Sequence, residues 1–226
     1  MDALLLAAGY GTRLRPLTNA IPKALLPING VCLLDLHLDR LFDLGIERVA
    51  VNTHHLAGAV EEAIRGRPDA EQILACREPE ILGTGGAIAA AAPALAGDPI
   101  AVVNSDALFA PPFEEAAAFH RTGRFSATLV VVPGGPNPNV RIRKDRVQAI
   151  DRDRRDPNAH TFTGFHFVSR AAAAQIPLGR FSDVRDLYDR LIAEERLGAF
   201  VWNRGEDDPF LDVGTPRAYL EAHRIC

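Results

Sequence analysis

The uncharged run Ala3–Ala8 breaks directly into Gly9-Tyr10-Gly11-Thr12-Arg13. An apolar run of that length, ended by glycines, reads as a buried strand that turns sharply at its carboxyl end. Such a turn exposes backbone N–H groups. With Arg13 and Lys23 close behind, it suits a chain of phosphates. Two phosphate loops are excluded by spacing. The pattern G-x-G-x-x-G needs glycine where Leu14 stands, and no G-x-x-x-x-G-K-[ST] occurs. Lys23 stands out further, because only it and Lys144 are lysines among 25 Lys plus Arg. A compact ammonium on a flexible stem is not equivalent to a planar arginine fork at a phosphate.

The rest of the chain alternates short apolar runs with amphipathic stretches, the mark of an α/β domain with a mostly parallel sheet. Strands are predicted at 3–8, 48–52, 72–76, 100–104 and 126–133. Helices are predicted at 33–44, ended by Gly45, and at 56–65, 85–92 and 112–121. After Pro133 the rhythm changes. A Gly/Pro/Asn loop at 134–138 leads to a hairpin, 140–143 with 147–151, around Lys144-Asp145, followed by a charged loop through 158. Strands at 161–169, 199–202 and 210–213 and helices at 184–195 and 216–223 complete the reading. No repeat, low-complexity segment or linker interrupts it. The expectation is one domain over 1–226, divided at 133 into a first half and a smaller, β-rich second half.

At 226 residues and 47% hydrophobic, the chain can bury a full core. A formal net charge of -4 argues against nucleic acid or an anionic membrane as a partner. Cys32, Cys76 and Cys226 are far apart and form no C-x-x-C, which points to a reducing compartment without a zinc framework. The first apolar run is too short for a signal peptide or membrane span, so a cytoplasmic location is expected.

Asp106 follows the buried run Ile100–Asn104, where open α/β sheets bind ligands beyond their strand ends. A carboxylate there can hold Mg²⁺, and the competing role is a helix N-cap. Asp212 ends a second short apolar run before Gly214, while Thr215-Pro216 already reads as an N-cap and N1 pair. Glu78-Pro79-Glu80-Ile81-Leu82-Gly83-Thr84-Gly85-Gly86 offers glycines for close approach of a base and ribose, with a helix N-terminus beyond; the plainer reading is a turn needed for chain reversal. His54-His55 lacks a third ligand at metal spacing, so a structural or sugar-proximal role is expected. No G-x-S-x-G and no H-E-x-x-H occurs.

With these motifs in hand, the chain resembles the sugar-1-phosphate nucleotidylyltransferases, whose signature L-A-A-G-x-G-T-R-L-x-P-L-T is followed by P-K. The matches run in family order from Leu4 to Thr215. The resemblance implies the nucleotide-diphospho-sugar transferase fold, Rossmann-like, with a small β-rich acceptor lobe, so that residues 1–133 form the nucleotide-binding half and 134–226 the sugar-binding half. It implies Mg²⁺ held jointly by Asp106 and Asp212, and catalytic roles for Arg13, Lys23 and Asp106. Substrate-binding positions expected from it are Ala8, Gly9, Gly11 and Thr12 in the first turn, Glu78, Gly83, Thr84 and Gly85 near the base, and Asn104, Asn139, Thr163 and Gly164 toward the sugar. Two departures stand out. Ser105 replaces the usual glycine before the aspartate, and Asp151-Arg152-Asp153 replaces E-K-P, so the sugar-phosphate lysine is lost or its contact is taken by an arginine.

The reaction implied is transfer of a nucleotidyl group from an NTP to a sugar 1-phosphate, giving an NDP-sugar and pyrophosphate. The turn at Gly83–Ala87 lacks a glutamine found in thymidylyl- and UDP-glucose-forming relatives. It resembles instead muramic acid-1-phosphate uridylyltransferases and heptose- or mannose-1-phosphate guanylyltransferases. A catalytically silent nucleotide-sugar binder is the alternative from another class, supported by Ser105 and the missing E-K-P. A nicotinamide oxidoreductase is disfavoured by Leu14 and by Asn52 where an acid is required.

Overall fold

The computed structural model describes residues 1–109, 111–135, 137–151, 156, 158–205 and 210–225. Arg152, Asp153 and the rest of the arginine-rich stretch through Arg155 lie outside the described residues, as does Cys226.

The first half holds strands β1 (Asp2–Leu6), β2 (Pro27–Ile28) and β3 (Val31–Cys32), then helix α1 (Leu33–Asp43). Strand β4 (Arg48–Thr53), helix α2 (Ala57–Arg65), strand β5 (Ile73–Arg77) and helix α3 (Gly83–Ala91) follow. Next come β6 (Ile100–Asn104), β7 (Ala107–Phe109), α4 (Phe113–Gly123) and β8 (Ala127–Pro133). The second half holds β9 (Val140–Arg143), β10 (Arg146–Ile150), β11 (His160–Val168), α5 (Arg170–Ala173), α6 (Val184–Ala193), β12 (Leu197–Val201), β13 (Phe210–Asp212) and α7 (Pro216–Ile225).

One nine-stranded sheet runs in the order β5-β4-β1-β6-β11-β8-β12-β10-β9. Its first four strands are parallel, with Leu5 opposite Val51 on one side and Val103 on the other. β11 enters antiparallel between β6 and β8, and β12 runs parallel to β8. The sheet is thus parallel over its first four strands and mixed beyond them, and it runs unbroken through both halves.

Alternation along β1 sorts the core. Leu4 faces the layer of α3 and α6, and Ala3 and Leu5 face the layer of α1, α2 and α4. A third cluster, with Leu14, Leu26, Leu33 and Val213, packs the 3₁₀ turns after β1 against α7. The strand expected to reach Ala8 stops at Leu6, because Ala7 N–H leaves the ladder for the Asn52 side chain. Two ribbons were not expected: the β2–β3 pair, and β7 with β13. The second puts Ala107 opposite Asp212, which brings Asp106 and Asp212 to neighbouring positions.

Candidate active site

A cleft of about 360 Å³ opens at the carboxyl ends of β1, β4 and β6. Its floor is the first turn, where Ala8, Gly9, Gly11, Thr12 and Arg13 all line it. Gly11 has φ +61, and a Cβ there would lie 2.8 Å from the Thr18 methyl and 3.2 Å from Lys23 Cβ. Both the conformation and the packing select glycine. Gly9 meets nothing, so its bare backbone faces open cleft. Thr18 Oγ1 donates to Gly11 O at 2.8 Å, and His55 Nε2 donates to Thr18 O at 2.9 Å.

Lys23 leaves a short 3₁₀ turn and places Nζ 2.8 Å from Asp106 Oδ2. Its side chain is only 12% exposed, so this carboxylate is its main counter-charge. Arg13 reaches both acids, Asp106 at 3.7 Å and Asp212 at 3.9 Å. Asp106 precedes a strand, which removes the helix N-cap reading. Thr215 caps α7 through Ala218 N–H, which leaves Asp212 free of that role as well. Asp212 Oδ1 instead accepts from Gly214 N–H at 2.8 Å. Ser105 is buried and is not among the residues with a left-handed φ, so no glycine is needed there. Its backbone hydrogen-bonds buried His37, whose pKa burial pushes down to about 4.

Opposite the turn, Glu78 lines the cleft but its carboxylate is spoken for. Oε1 accepts from Asn52 Nδ2 at 2.8 Å and Oε2 from Leu82 N–H at 2.9 Å. Asn52 in turn accepts from Ala7 N–H at 2.7 Å. His54 Nδ1 donates to Glu78 O, which leaves Nε2 to accept from the Tyr10 hydroxyl at 3.2 Å. His54 therefore ties the first turn to the 78–82 segment, and His55 ties the loop after β4 to Thr18. Asn52 was read only as a missing acid. Its position opposite Leu6 on the adjacent strand is the signal for this clamp.

Gly83 and Thr84 line the cleft, as expected, but Gly85 does not. Gly85 and Gly86 N–H both donate to Ser182 O, at 2.9 and 3.2 Å, so these helix-start donors are already used and are not free for an anion. Gly85 and Gly86 serve close contact with the strap 180–182, a role the sequence reading did not include.

A second pocket of about 180 Å³ adjoins the first through Asn104 and Asp106. Asn139, Thr163, Gly164 and Asp212 line it. Gly164 has φ +84, and a Cβ would lie 3.0 Å from Asn104 Nδ2, so β11 can cross the asparagine only as glycine. Thr163 is buried and donates to Val130 O at 2.8 Å, which makes it a support for that crossing.

Residues 2–139 match the family model described as nucleotidyl transferase. The chain belongs to the nucleotidyl transferase family. It is 38% identical over 234 residues to an N-acetylmuramate alpha-1-phosphate uridylyltransferase of Neisseria meningitidis, covering 100% of this chain and 98% of that one. It is 34% identical to a mannose-1-phosphate guanylyltransferase of Mycobacterium tuberculosis, covering 97% of this chain but 63% of the relative's length. Against a probable mannose-1-phosphate guanylyltransferase of Oryza sativa the share of the relative is 64%. In fold it matches HddC from Yersinia pseudotuberculosis with a TM-score of 0.83 at 23% identity, covering 99% of this chain and 98% of that one. Its named relatives in the nucleotidyl transferase family are thus sugar-1-phosphate nucleotidylyltransferases that differ in base and sugar.

The family generally uses a divalent metal. Among the described residues no three His, Cys, Asp or Glu side chains cluster as a ready-made cage. Two partly exposed carboxylates facing one cleft fit a hard cation that takes one or two protein carboxylates and fills its shell with waters and substrate phosphates. Arg13 and Lys23 already sit on those oxygens, so both acids are ionised acceptors of positive charge in this arrangement. No described helix is long and apolar enough to cross a membrane.

Proposed function

We propose that the chain transfers a nucleotidyl group from an NTP to a sugar 1-phosphate, with UTP and N-acetylmuramic acid 1-phosphate, or a related sugar, as the preferred pair. The observation that carries the transferase reading is the cluster of Arg13, Lys23, Asp106 and Asp212 where the larger cleft meets the smaller pocket. The full-length match to the Neisseria meningitidis relative supports the choice of pair. A GTP-using mannose- or heptose-1-phosphate guanylyltransferase is the second reading, favoured by the Mycobacterium tuberculosis relative. On this reading residues 1–133 hold the nucleotide and 134–226 the sugar, in cytoplasmic synthesis of a cell-wall or polysaccharide precursor.

A phosphate oxygen of the sugar 1-phosphate is anionic at neutral pH, so attack on the α-phosphorus needs no general base. The new P–O bond forms as the bond to the β-phosphate oxygen breaks, and pyrophosphate leaves with that electron pair. Alignment and charge neutralisation carry the barrier. Gly9 and Gly11 present backbone to the triphosphate. Arg13 steadies the departing pyrophosphate, and Lys23 holds the α-phosphate or the sugar phosphate. Mg²⁺ on Asp106 and Asp212 would neutralise charge on the phosphates. With two cations and two anions the bare cluster is near neutral, so a divalent ion adds the positive charge that a polyanionic substrate pair requires.

The test is pyrophosphate release with Mg²⁺ for four NTPs and dTTP, each against 1-phosphates of N-acetylmuramic acid, N-acetylglucosamine, glucose, mannose and heptose. One strong pair with UTP and the first sugar is expected, and a GTP–mannose or GTP–heptose pair would establish the second reading. Silence throughout, with NDP-sugar still bound, would mark a silent binder.

A further inference from the structure

Asn52 joins the two sides of the larger cleft. β4 lies between β1 and β5 in the sheet, and Asn52 stands opposite Leu6 on one and Cys76 on the other. Its side chain therefore falls between the turn that follows β1 and the segment that follows β5. Oδ1 accepts from Ala7 N–H at 2.7 Å, and Nδ2 donates to Glu78 Oε1 at 2.8 Å. Glu78 carries the connection onward, because Oε2 accepts from Leu82 N–H at 2.9 Å. One continuous path thus runs from the first turn to the facing wall of Ile81, Gly83 and Thr84.

The chemistry of the pair is specific. Both residues are buried, Asn52 at 5% and Glu78 at 4% exposure, so unmatched polar atoms there are costly. Position 52 needs an acceptor toward Ala7 and a donor toward a carboxylate on one short stem. An amide supplies both, and neither aspartate nor leucine does. The orientation of the amide follows from its neighbours, since a flip would set N–H against N–H and oxygen against carboxylate. The wall is pinned at its far end too. Ser182 N–H donates to Leu82 O at 2.8 Å, and Ser182 O accepts from Gly85 and Gly86 N–H. A change at Asn52 is therefore not absorbed by slack in the 81–84 wall.

Building on the transferase reading, we propose that Asn52 and Glu78 are positioning residues whose amide–carboxylate pair sets the gap between the first turn and the 81–84 wall. That gap fixes the fit of an NTP that touches both sides. The pair acts on nucleotide binding through Ala7 and Leu82 and takes no part in the bond exchange at phosphorus.

The test exchanges the partners. Asn52→Asp sets carboxylate against carboxylate, and Glu78→Gln leaves Asn52 Nδ2 and Leu82 N–H with one side-chain oxygen between them. In the double variant the pair is restored with its polarity reversed. The carboxylate at 52 accepts from Ala7 N–H and from the amide at 78, whose oxygen accepts from Leu82 N–H. Each single variant is expected to raise the KM for the NTP about 10-fold or more, the scale of a lost hydrogen bond to a charged group. The KM for the sugar 1-phosphate should change little, and the double variant should recover most of the loss. A mere fold defect would instead lower kcat through the active fraction and leave both KM values alone. Where a single variant fails to fold, Asn52→Ala takes its place with the same expected rise, because the pair lines the cleft and water can enter. Unchanged KM for the NTP, an equal rise in both KM values, or a double variant no better than the worse single would overturn the positioning role. Calorimetric Kd values for UTP and GTP keep the two readings apart. Binding without turnover by the wild type would overturn the transferase reading while the same pattern of Kd values still supports the pair. A wild type that neither binds nor turns over any NTP would overturn both.

Discussion

Lys23 is one of only two lysines in an arginine-rich chain, and its surroundings explain why. The stem runs past Gly11 at close quarters, and the ammonium makes a single-point contact with Asp106 Oδ2, which suits a compact ammonium better than a planar fork. Lys23→Ala and Asp106→Asn are each expected to lose ~10²–10³ in kcat, the usual cost of removing a preorganised charge. Both should keep a normal far-UV spectrum. Near-wild-type turnover in Asp106→Asn would take that aspartate out of the metal set. These residues were legible from motif and spacing alone. Gly214 was not. A Cβ there would press against the Arg13 guanidinium, 2.8 Å from its Cζ, and lie 2.7 Å from Asp212 Oδ1, so the glycine is a slot that lets arginine and aspartate meet. Gly214→Ala should therefore depress kcat/KM about as far as Arg13→Ala does. Steady-state kinetics on the two variants checks this, and an alanine enzyme with full activity would refute it. Sequence reading found the acid but not the slot, because a close approach between residues 13 and 214 has no local signature.

Among elements, α3 shows how one pattern serves two ends. Its glycine-rich start was read as a seat for a base, yet Gly85 and Gly86 face the strap 180–182 across backbone contacts that only glycine permits. At Gly86 a Cβ would stand 2.8 Å from Leu82 Cβ and 2.9 Å from Arg180 O. Alanine would raise helix propensity by roughly 1 kcal/mol, but overpacking costs about 1–3 kcal/mol. The clash wins where the neighbour is backbone. Gly86→Ala is expected to lower the urea midpoint with an unchanged m-value, and a raised midpoint would show that the strap yields freely. Long periodic elements such as α1 and β6 were legible within a few residues, because their apolar faces repeat. The two-residue strands β2 and β3 carry no period. β7 and β13 pair across about a hundred residues, and no local signal announces that ribbon.

At the scale of the molecule, the parallel half of the sheet followed from alternating strands and helices, while the antiparallel entry of β11 between β6 and β8 did not. That entry buries two histidines as well as apolar side chains. His166 on β11 has neither ring nitrogen hydrogen-bonded among the described residues, and burial pushes its pKa down to about 3. His120 on α4, paired to Thr128 Oγ1 on β8, is pushed down to about 4, again chiefly by burial. Both are neutral in the fold. Unfolded, each would titrate near its ordinary value of about 6.5. Between that value and the folded one the unfolded chain binds more protons, so stability is complete above pH 6.5 and is lost as pH falls toward 4. The slope is up to about 1.4 kcal/mol per pH unit for each histidine. Thermal melts should accordingly drop between pH 7 and pH 5. Surface carboxylates also contribute to any acid slope, so the difference between two proteins isolates the histidine. His166→Leu removes an unsatisfied polar ring from an apolar setting and should cost little at pH 7. Across pH 6.5 to 5 its melting temperature should fall less steeply than that of the wild type. Parallel curves for the two proteins would mean that His166 finds a partner or a water in solution and stays out of the acid response.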